Sequence, residues 1–113
     1  MKTYTLRVRS VDKKIFDALE SGAKNVETRA ASSKYAGMRA GDAITFVCGK
    51  ERLTKAISSA KIYKSLPALL RDYKPSDINP AAKTARELDE MYASFPGYEA
   101  KIRRFGIIAL ELE

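Results

Sequence analysis

SGAKNVETRA, residues 21–30, is the stretch in which the pattern of the chain changes from helix to strand. Gly22 provides a helix stop, because glycine readily adopts the left-handed conformation that ends many helices. The residues after it predict a strand that places Glu27 and Arg29 on one face and Val26 on the other. This strand therefore carries opposed charges at positions that share a face, and it begins directly after a helix.

The segments before this stretch predict one strand and one helix. Apolar and polar residues alternate in TYTLRVRS (residues 3–10), which is typical of a half-buried strand. Ser10 is a suitable helix cap, and a helix of about ten residues is expected between it and Gly22. Its apolar stripe consists of Val11, Ile15, Phe16 and Leu19.

The segments after this stretch predict further strands and then helices. The predicted strands are KNVETRA (24–30), AITFVCG (43–49), RLTKAISSAKIY (52–63) and the closing GIIALELE (106–113). Ser65 precedes a short helix in LPALLRDY (66–73), a longer helix is expected from Asn79-Pro80 to Pro96-Gly97, and YEAKIRRF (98–105) forms another helical turn. This order lacks regular βαβ alternation. We therefore expect a single α+β domain over 1–113, with a small curved or barrel-like sheet and helices packed on one side.

Composition excludes several kinds of chemistry. The 113 residues include no histidine, so Ser-His and Cys-His nucleophile systems and the usual zinc sites are excluded. Cys48 is the only cysteine, and its place in an apolar run predicts a buried thiol. No glycine-rich phosphate loop is present. We therefore predict no cofactor and no metal, and any acid–base chemistry would depend on Lys, Glu, Asp or Tyr.

The charge balance indicates the class of partner. Twenty-one Lys and Arg residues against 14 Asp and Glu residues give a formal net charge of +7, which is typical of small proteins that bind a polyanion and is also compatible with a solvated basic surface. No apolar run approaches the roughly 18 residues needed to span a membrane, and the N-terminal residues lack the apolar core of a signal peptide. We expect a cytoplasmic protein with no membrane partner.

Lys24, Glu27 and Arg29 are the main candidates for a binding site. A carboxylate between two cations can accept hydrogen bonds from both, or can hold them while it presents a free oxygen to a ligand. Glutamate is also a suitable acceptor for the exocyclic amino group of cytosine. The alternative is a solvent-facing stripe of weak ion pairs worth about 0–1 kcal/mol each, and spacing alone does not distinguish the two interpretations.

The order of several short motifs resembles the ASCH domain family, relatives of the PUA domains of RNA-modifying enzymes. Residues 22–29 have the pattern Gly-x-Lys-x-x-Glu-x-Arg. The other motifs follow in the same order as in the family: Arg39-Ala40-Gly41-Asp42, Ile62-Tyr63-Lys64 and Phe105-Gly106-Ile107-Ile108-Ala109. The resemblance covers nearly the whole chain and implies a PUA-like β-barrel with flanking helices. It also implies a cleft around residues 22–29 that binds RNA or a nucleotide.

The resemblance also offers an enzymatic alternative. One branch of similar proteins removes the acetyl group from N4-acetylcytidine, and a ribonuclease activity has been proposed for another. In the first branch a Lys, matched by Lys24, is followed three residues later by a Thr nucleophile, a position that Glu27 occupies here. Thr28 is one residue away and is expected on the opposite strand face. Asp77 stands near the position of the acidic residue.

The remaining site candidates are Tyr63, Lys64 and Tyr98. Tyr63 is expected either to stack on a base or to sit at the edge of the core, and Lys64 is expected to contact phosphate together with Arg29. Tyr98 follows Pro96-Gly97 and is expected to line the cleft. The primary hypothesis is thus an RNA- or nucleoside-binding domain, and the alternatives are a metal-independent hydrolase that uses Lys24 and Glu27, and a protein-interaction module with an exposed apolar patch.

Overall fold

The computed structural model describes all of residues 1–113 and contains one five-stranded sheet. The order of the strands across the sheet is β1-β3-β4-β5-β2, so β1 and β2 are its two edges. β1 pairs with β3 in parallel, and the other pairs are antiparallel. The strands are β1 (Thr3–Arg7), β2 (Val26–Ala30), β3 (Ala43–Cys48), β4 (Glu51–Tyr63) and β5 (Ile107–Leu112).

The length of β4 explains why the sheet curls. Its first half, up to Ala56, pairs with β3, and its second half, from Ile57 to Tyr63, pairs with β5. The register shifts between Ile57 and Ser59, and an irregularity of this kind bends a strand and increases its twist. The result is a curled half-barrel. The predicted α+β class is therefore confirmed, but the barrel is only half closed because β1 and β2 do not pair with each other.

Helices cover both faces of this sheet. Two helices precede β3 in the chain, α1 (Lys13–Ser21) and α2 (Ser33–Ala36). The segments between β4 and β5 are α3 (Leu66–Leu69), α4 (Pro75–Ile78), α5 (Ala85–Ala93) and α6 (Tyr98–Phe105). None of these helices is long and apolar enough to cross a membrane.

Two hydrophobic cores lie on opposite faces of β5. Ile108 and Leu110 belong to the core that contains Phe16 of α1, whereas Ile107 packs with Leu88 of α5. A strand buried on both faces reads as a continuous apolar run, as the start of β5 does. The expectation that helices pack on one side of the sheet is therefore wrong.

Several local predictions are confirmed and others are corrected. Gly22 ends α1 in the left-handed conformation with φ 85°, and Cys48 is buried. The long helix begins at Ala85, capped by Thr84, because Asn79-Pro80 belongs to a separate connection after α4. Val11 is 79% exposed, since residues Ser10–Asp12 form a 3₁₀ turn that precedes α1 instead of its first turn.

Candidate ligand-binding site

A cavity of about 360 Å³ opens where the two edges of the half-barrel face each other. β1 and the residues after it contribute one wall, β2 contributes the second, and the segment from Ile78 to Tyr98 contributes the third. We call this space the edge cavity. Its lining residues are Arg7, Val8, Arg9, Asp12, Ile15, Lys24, Glu27, Thr28, Arg29, Ile78, Asn79, Met91, Tyr92, Phe95 and Tyr98.

The free edge of β2 explains why polar side chains collect here. In its register with β5, the backbone groups of Val26, Thr28 and Ala30 point away from β5 and find no strand partner. Each of these three residues instead has a backbone group that bonds to a side chain. Lys24 Nζ donates to the Val26 carbonyl at 2.5 Å, the Thr28 amide donates to Glu27 Oε1 at 3.0 Å, and the Ala30 amide donates to the Tyr98 hydroxyl at 2.8 Å. These side chains therefore protect an exposed strand edge.

Lys24 is the most enclosed cation in this cavity. Its side chain is 3% exposed, and Nζ donates hydrogen bonds to the carbonyl oxygens of Val26 and Ile78. Burial lowers the pKa of Lys24 below its usual value of 10.5, since desolvation disfavours the charged form, while Glu27 opposes the shift. Lys24 therefore joins the start of β2 to the end of α4.

Glu27 lies between the two cations but is hydrogen-bonded to neither. Its Oε1 is 4.0 Å from Lys24 Nζ, and its Oε2 is 3.6 Å from Arg29 Nη2. Both distances exceed normal hydrogen-bond lengths. Oε1 accepts the Thr28 amide, so the carboxylate is fixed by the backbone and Oε2 retains acceptor capacity toward the cavity.

Arg29 offers the site hydrogen-bond donors that no protein group uses. Its side chain is 27% exposed, and its guanidinium carbon lies 5.7 Å from the centre of the Tyr35 ring. It makes no hydrogen bond within 3.5 Å to any group of the protein; its ion pair with Glu27 is longer. Burial disfavours the charge of Arg29, but Glu27 and the neighbouring tyrosines raise its pKa overall, so the guanidinium remains charged.

Aromatic side chains form the wall opposite β2. The rings of Tyr92 and Tyr98 stack with centroids 5.8 Å apart, and Phe95 meets Tyr98 edge-on at 5.5 Å. The Tyr92 hydroxyl bonds to Thr28 Oγ1 at 2.5 Å, and burial raises the pKa of Tyr92 well above its usual value of 10. The hydroxyls of Tyr92 and Tyr98 thus both bond to β2. Phe95 makes no hydrogen bond, and the Arg9 guanidinium carbon lies 6.0 Å from the centre of its ring.

The structure brings four of the six predicted ligand-binding residues together and leaves two apart. Lys24, Glu27, Arg29 and Tyr98 all line the edge cavity. Tyr63 is 7% exposed and packs in the core on the α5 side of the sheet, with its hydroxyl donating to Asp72, so the core-edge interpretation holds for it. Lys64 lines a second cavity of about 450 Å³.

Asp77 and Thr28 are the two residues nearest in sequence to the acid and nucleophile positions. Asp77 is exposed and accepts the backbone amide of Lys74 at the start of α4, so it does not line the edge cavity. Thr28 directs its hydroxyl to Tyr92, away from Glu27, as strand alternation predicts. Neither residue is therefore placed to act as the nucleophile or the acid of the N4-acetylcytidine amidohydrolases that the sequence resembles.

Asn79, Arg7 and Arg9 line the cavity although the sequence did not single them out. Asn79 follows α4, and its amide nitrogen contacts only Met91 Sδ, at 3.0 Å, which is a weak acceptor. Arg7 is the last residue of β1 and Arg9 follows it, and only the curl of the sheet brings this end of the strand opposite Glu27. The only sequence pattern that involves these two arginines is their alternation with Leu6 and Val8, and this pattern predicts a strand but gives no indication of a binding site.

No group of three or more His, Cys, Asp or Glu side chains is arranged to hold a metal ion. The only carboxylates that line the edge cavity are Asp12 and Glu27. Asp12 is bonded to Arg9, and Glu27 to the Thr28 amide.

Comparison with known proteins defines the fold. No protein-family model and no curated protein matches this chain. The chain is similar in structure to the hypothetical protein PH0355, with a TM-score of 0.84 and 24% identity over 100% of this chain and 98% of that one. It is also similar to protein PF0455 from Pyrococcus furiosus, with a TM-score of 0.77 and 22% identity over 98% and 96% of the two chains. At these identities the similarity concerns the fold alone.

Proposed function

We propose that this chain is a PUA-like ASCH domain that binds RNA or a nucleoside in the edge cavity. The observation that carries the proposal is the pairing of Arg29 with Glu27 at the cavity wall. Arg29 provides hydrogen-bond donors that no protein group uses, and Glu27 Oε2 provides an acceptor 3.6 Å away. The Arg29 guanidinium is 27% exposed and has no buried unsatisfied nitrogen, so water can satisfy these donors in the free protein and a ligand that enters the cavity can replace that water.

The edge of a nucleobase fits this arrangement of donor and acceptor. Glu27 would accept the exocyclic amino group of a base, as carboxylates do with cytosine. Arg29 and the amide nitrogen of Asn79 would donate to its carbonyl or ring nitrogen. Phe95 offers a ring on which a base can stack. Tyr98 lines the cavity as the sequence predicted, and it supports this wall through its contacts with Phe95 and Tyr92.

The net charge of +7 is consistent with a phosphate-bearing partner. For single-stranded RNA, the logarithm of the affinity should fall with the logarithm of the salt concentration by roughly 0.7 per phosphate neutralised. Glu27 and Arg29 would act differently, because they contact the base and not the backbone. The phosphate contacts and the base contacts can therefore be separated by measuring how affinity depends on salt.

The test measures binding of short single-stranded RNA and of the four common nucleosides to the wild type, Glu27→Gln, Arg29→Gln and Arg71→Gln. Arg71→Gln is the matched control, since Arg71 is exposed and lines neither of the two cavities. We expect the first two variants to weaken binding about tenfold or more, because each removes a charge-assisted hydrogen bond. Wild-type protein that binds neither RNA nor any nucleoside at low ionic strength overturns the proposal.

A second candidate function is a metal-independent hydrolase acting on RNA or a modified nucleoside, and the burial of Lys24 favours it. A neutral amine has two N–H groups and one lone pair. The carbonyls of Val26 and Ile78 would take both N–H groups, and the lone pair of Lys24 would remain as a base or nucleophile. The lowered pKa of Lys24 favours this neutral form.

The protein-interaction hypothesis predicts a large exposed apolar patch. The large apolar residues that are exposed are Met1, Val11, Ile62 and Phe105. Of these, Ile62 lies beside Gly106 and so adjoins Phe105 along the chain, whereas Val11 belongs to the 3₁₀ turn before α1. These positions give less support to a docking face than the edge cavity gives to ligand binding.

A further inference from the structure

We propose that Arg7 and Arg9 form a phosphate subsite at the mouth of the edge cavity, so that the ligand is a nucleotide unit and not an unphosphorylated nucleoside. This inference rests on the proposed function and adds a second contact region to it. It also replaces the phosphate contact that the sequence assigned to Lys64, which lines the other cavity.

Arg9 is held in place with its terminal nitrogens free. Its Nε donates to Asp12 Oδ2 at 2.8 Å, and its guanidinium carbon lies 6.0 Å from the centre of the Phe95 ring. The side chain is 66% exposed, so the ion pair by itself contributes little to stability. The two contacts place the guanidinium beside the ring proposed to stack on the base. A planar guanidinium whose two terminal nitrogens are unused is suited to bidentate contact with phosphate.

Arg7 adds a second cation to the same wall. It is exposed, lines the edge cavity and has no carboxylate within 4.0 Å of its side-chain nitrogens. With Arg29 and Lys24, the cavity has four basic residues against the two carboxylates of Asp12 and Glu27. Arg7 and Arg9 are the exposed cations at the mouth, whereas Lys24 is buried.

The two ends of the cavity therefore prefer opposite ends of a ligand. At the buried end, the charge of Glu27 offsets that of Arg29, and Glu27 Oε2 can accept an amino group. At the mouth, the two arginines attract an anion. The cavity volume of about 360 Å³ is near the lower end of the range for small-molecule sites, about 300–1,000 Å³, which suits one nucleotide unit. The base would enter first, and its phosphate would remain at the mouth.

The experiment compares each of cytidine, adenosine, guanosine and uridine with its 5′-monophosphate, by calorimetric titration at low and physiological salt. The proteins are the wild type, Arg7→Gln, Arg9→Gln, the double variant and Arg71→Gln. All the changed residues are exposed, so folding should be preserved, and thermal melts verify this. We expect the phosphate to tighten wild-type binding about tenfold or more, since charge-assisted hydrogen bonds to arginine are strong. Inorganic phosphate alone should bind more weakly than any monophosphate that binds.

The double variant should lose this advantage of the monophosphate while its nucleoside affinity changes less than about twofold, because the base contacts are made elsewhere. Arg71→Gln should retain the advantage. If short single-stranded RNA binds and the monophosphates do not, the phosphate comes from a strand, and the double variant should then flatten the salt slope by about 1.4.

Three results overturn the inference. Equal affinity for nucleoside and monophosphate, with RNA binding that Arg7→Gln and Arg9→Gln leave unchanged, removes the subsite and leaves the proposed function standing. An equal loss in Arg71→Gln shows that general charge, and not Arg7 and Arg9, attracts the phosphate. Absence of all binding by the wild type overturns the proposed function and this inference together.

Discussion

Lys24 Nζ donates a hydrogen bond to the carbonyl oxygen of Ile78, which lies 54 residues further along the chain. This contact joins the start of β2 to the end of α4 and so fixes the position of the next residue, Asn79, in the cavity wall. The amine that the sequence identified as a site residue is therefore also a structural tie. Its removal should affect both stability and ligand binding.

We expect Lys24→Met to lower the free energy of unfolding by about 2 kcal/mol, because two buried carbonyls lose their donor. Relief from burying an ammonium group offsets part of this cost. Lys14→Met is the matched control: Lys14 is exposed and makes no ion pair, so its change should remain within about 0.5 kcal/mol. Urea denaturation of the three proteins measures both effects, and equal midpoints for the wild type and Lys24→Met would contradict the structural role.

The difference in stability between the wild type and Lys24→Met should depend on pH. The pKa of Lys24 is lower in the folded state than its unfolded value of 10.5, so between these two values the unfolded chain binds more protons. Stability should therefore rise with pH in that window, and the cost of burying the charge should apply fully below it. The wild type should gain stability relative to Lys24→Met as the pH is raised from 7 toward 10.5. A flat or falling difference would indicate that the pKa of Lys24 is not lowered.

The hydroxyls of Thr28 and Tyr92 bond to each other, so we expect the effects of removing them on stability to be coupled. They are 2.5 Å apart and both residues are buried, so removing one hydroxyl leaves the other unsatisfied. Thr28→Val and Tyr92→Phe should each destabilise the protein by about 1–2 kcal/mol, and the double variant should cost about 1 kcal/mol less than their sum. A double-mutant cycle by chemical denaturation measures this coupling. Strict additivity would show that the hydroxyls do not depend on each other.

Gly106 is required by a close approach of two backbone segments. Its φ is 82°, and a Cβ atom at this position would lie 2.4 Å from the carbonyl oxygen of Tyr63. Gly22→Ala is the control, because Gly22 has a similar φ of 85° and open space around it, and its strain should cost about 1–2 kcal/mol. Gly106→Ala should cost distinctly more, since the clash adds to the strain. Thermal unfolding of the two variants compares them, and equal losses would mean that the neighbouring strand yields.

We expect the protein to deacetylate N4-acetylcytidine slowly or not at all. A covalent route requires a hydroxyl nucleophile within reach of its base, and Glu27 occupies that position while Thr28 bonds to Tyr92. The assay follows loss of the acetyl group with the wild type, Glu27→Thr and Lys24→Ala. Wild-type turnover of about 1 per second or faster, abolished in Lys24→Ala, would instead establish a hydrolase with a carboxylate in its site. Any such activity should persist with a chelator, because no side-chain cluster is arranged to hold a metal.

Local sequence patterns determined the elements and part of the site. The alternation in β1, the stop at Gly22 and the apolar run of β3 predicted structure from neighbours along the chain, where periodicity is set by backbone geometry. Lys24, Glu27 and Arg29 lie within or directly before one strand, so the sequence placed them near each other, but their spacing was equally compatible with a solvent-facing stripe. Tyr98 was identified because it follows a helix-ending pair.

Only the tertiary structure decided what these residues face. β4 bends at Ile57, and this bend brings the end of β1, with Arg7 and Arg9, opposite β2. The side chains of Lys24 and Glu27 turned out to bond to the backbone at the free edge of β2, because the half-barrel leaves that edge unpaired. Closing the distance between segments far apart in sequence depends on the packing of both cores and on the register of the whole sheet, which no short pattern encodes.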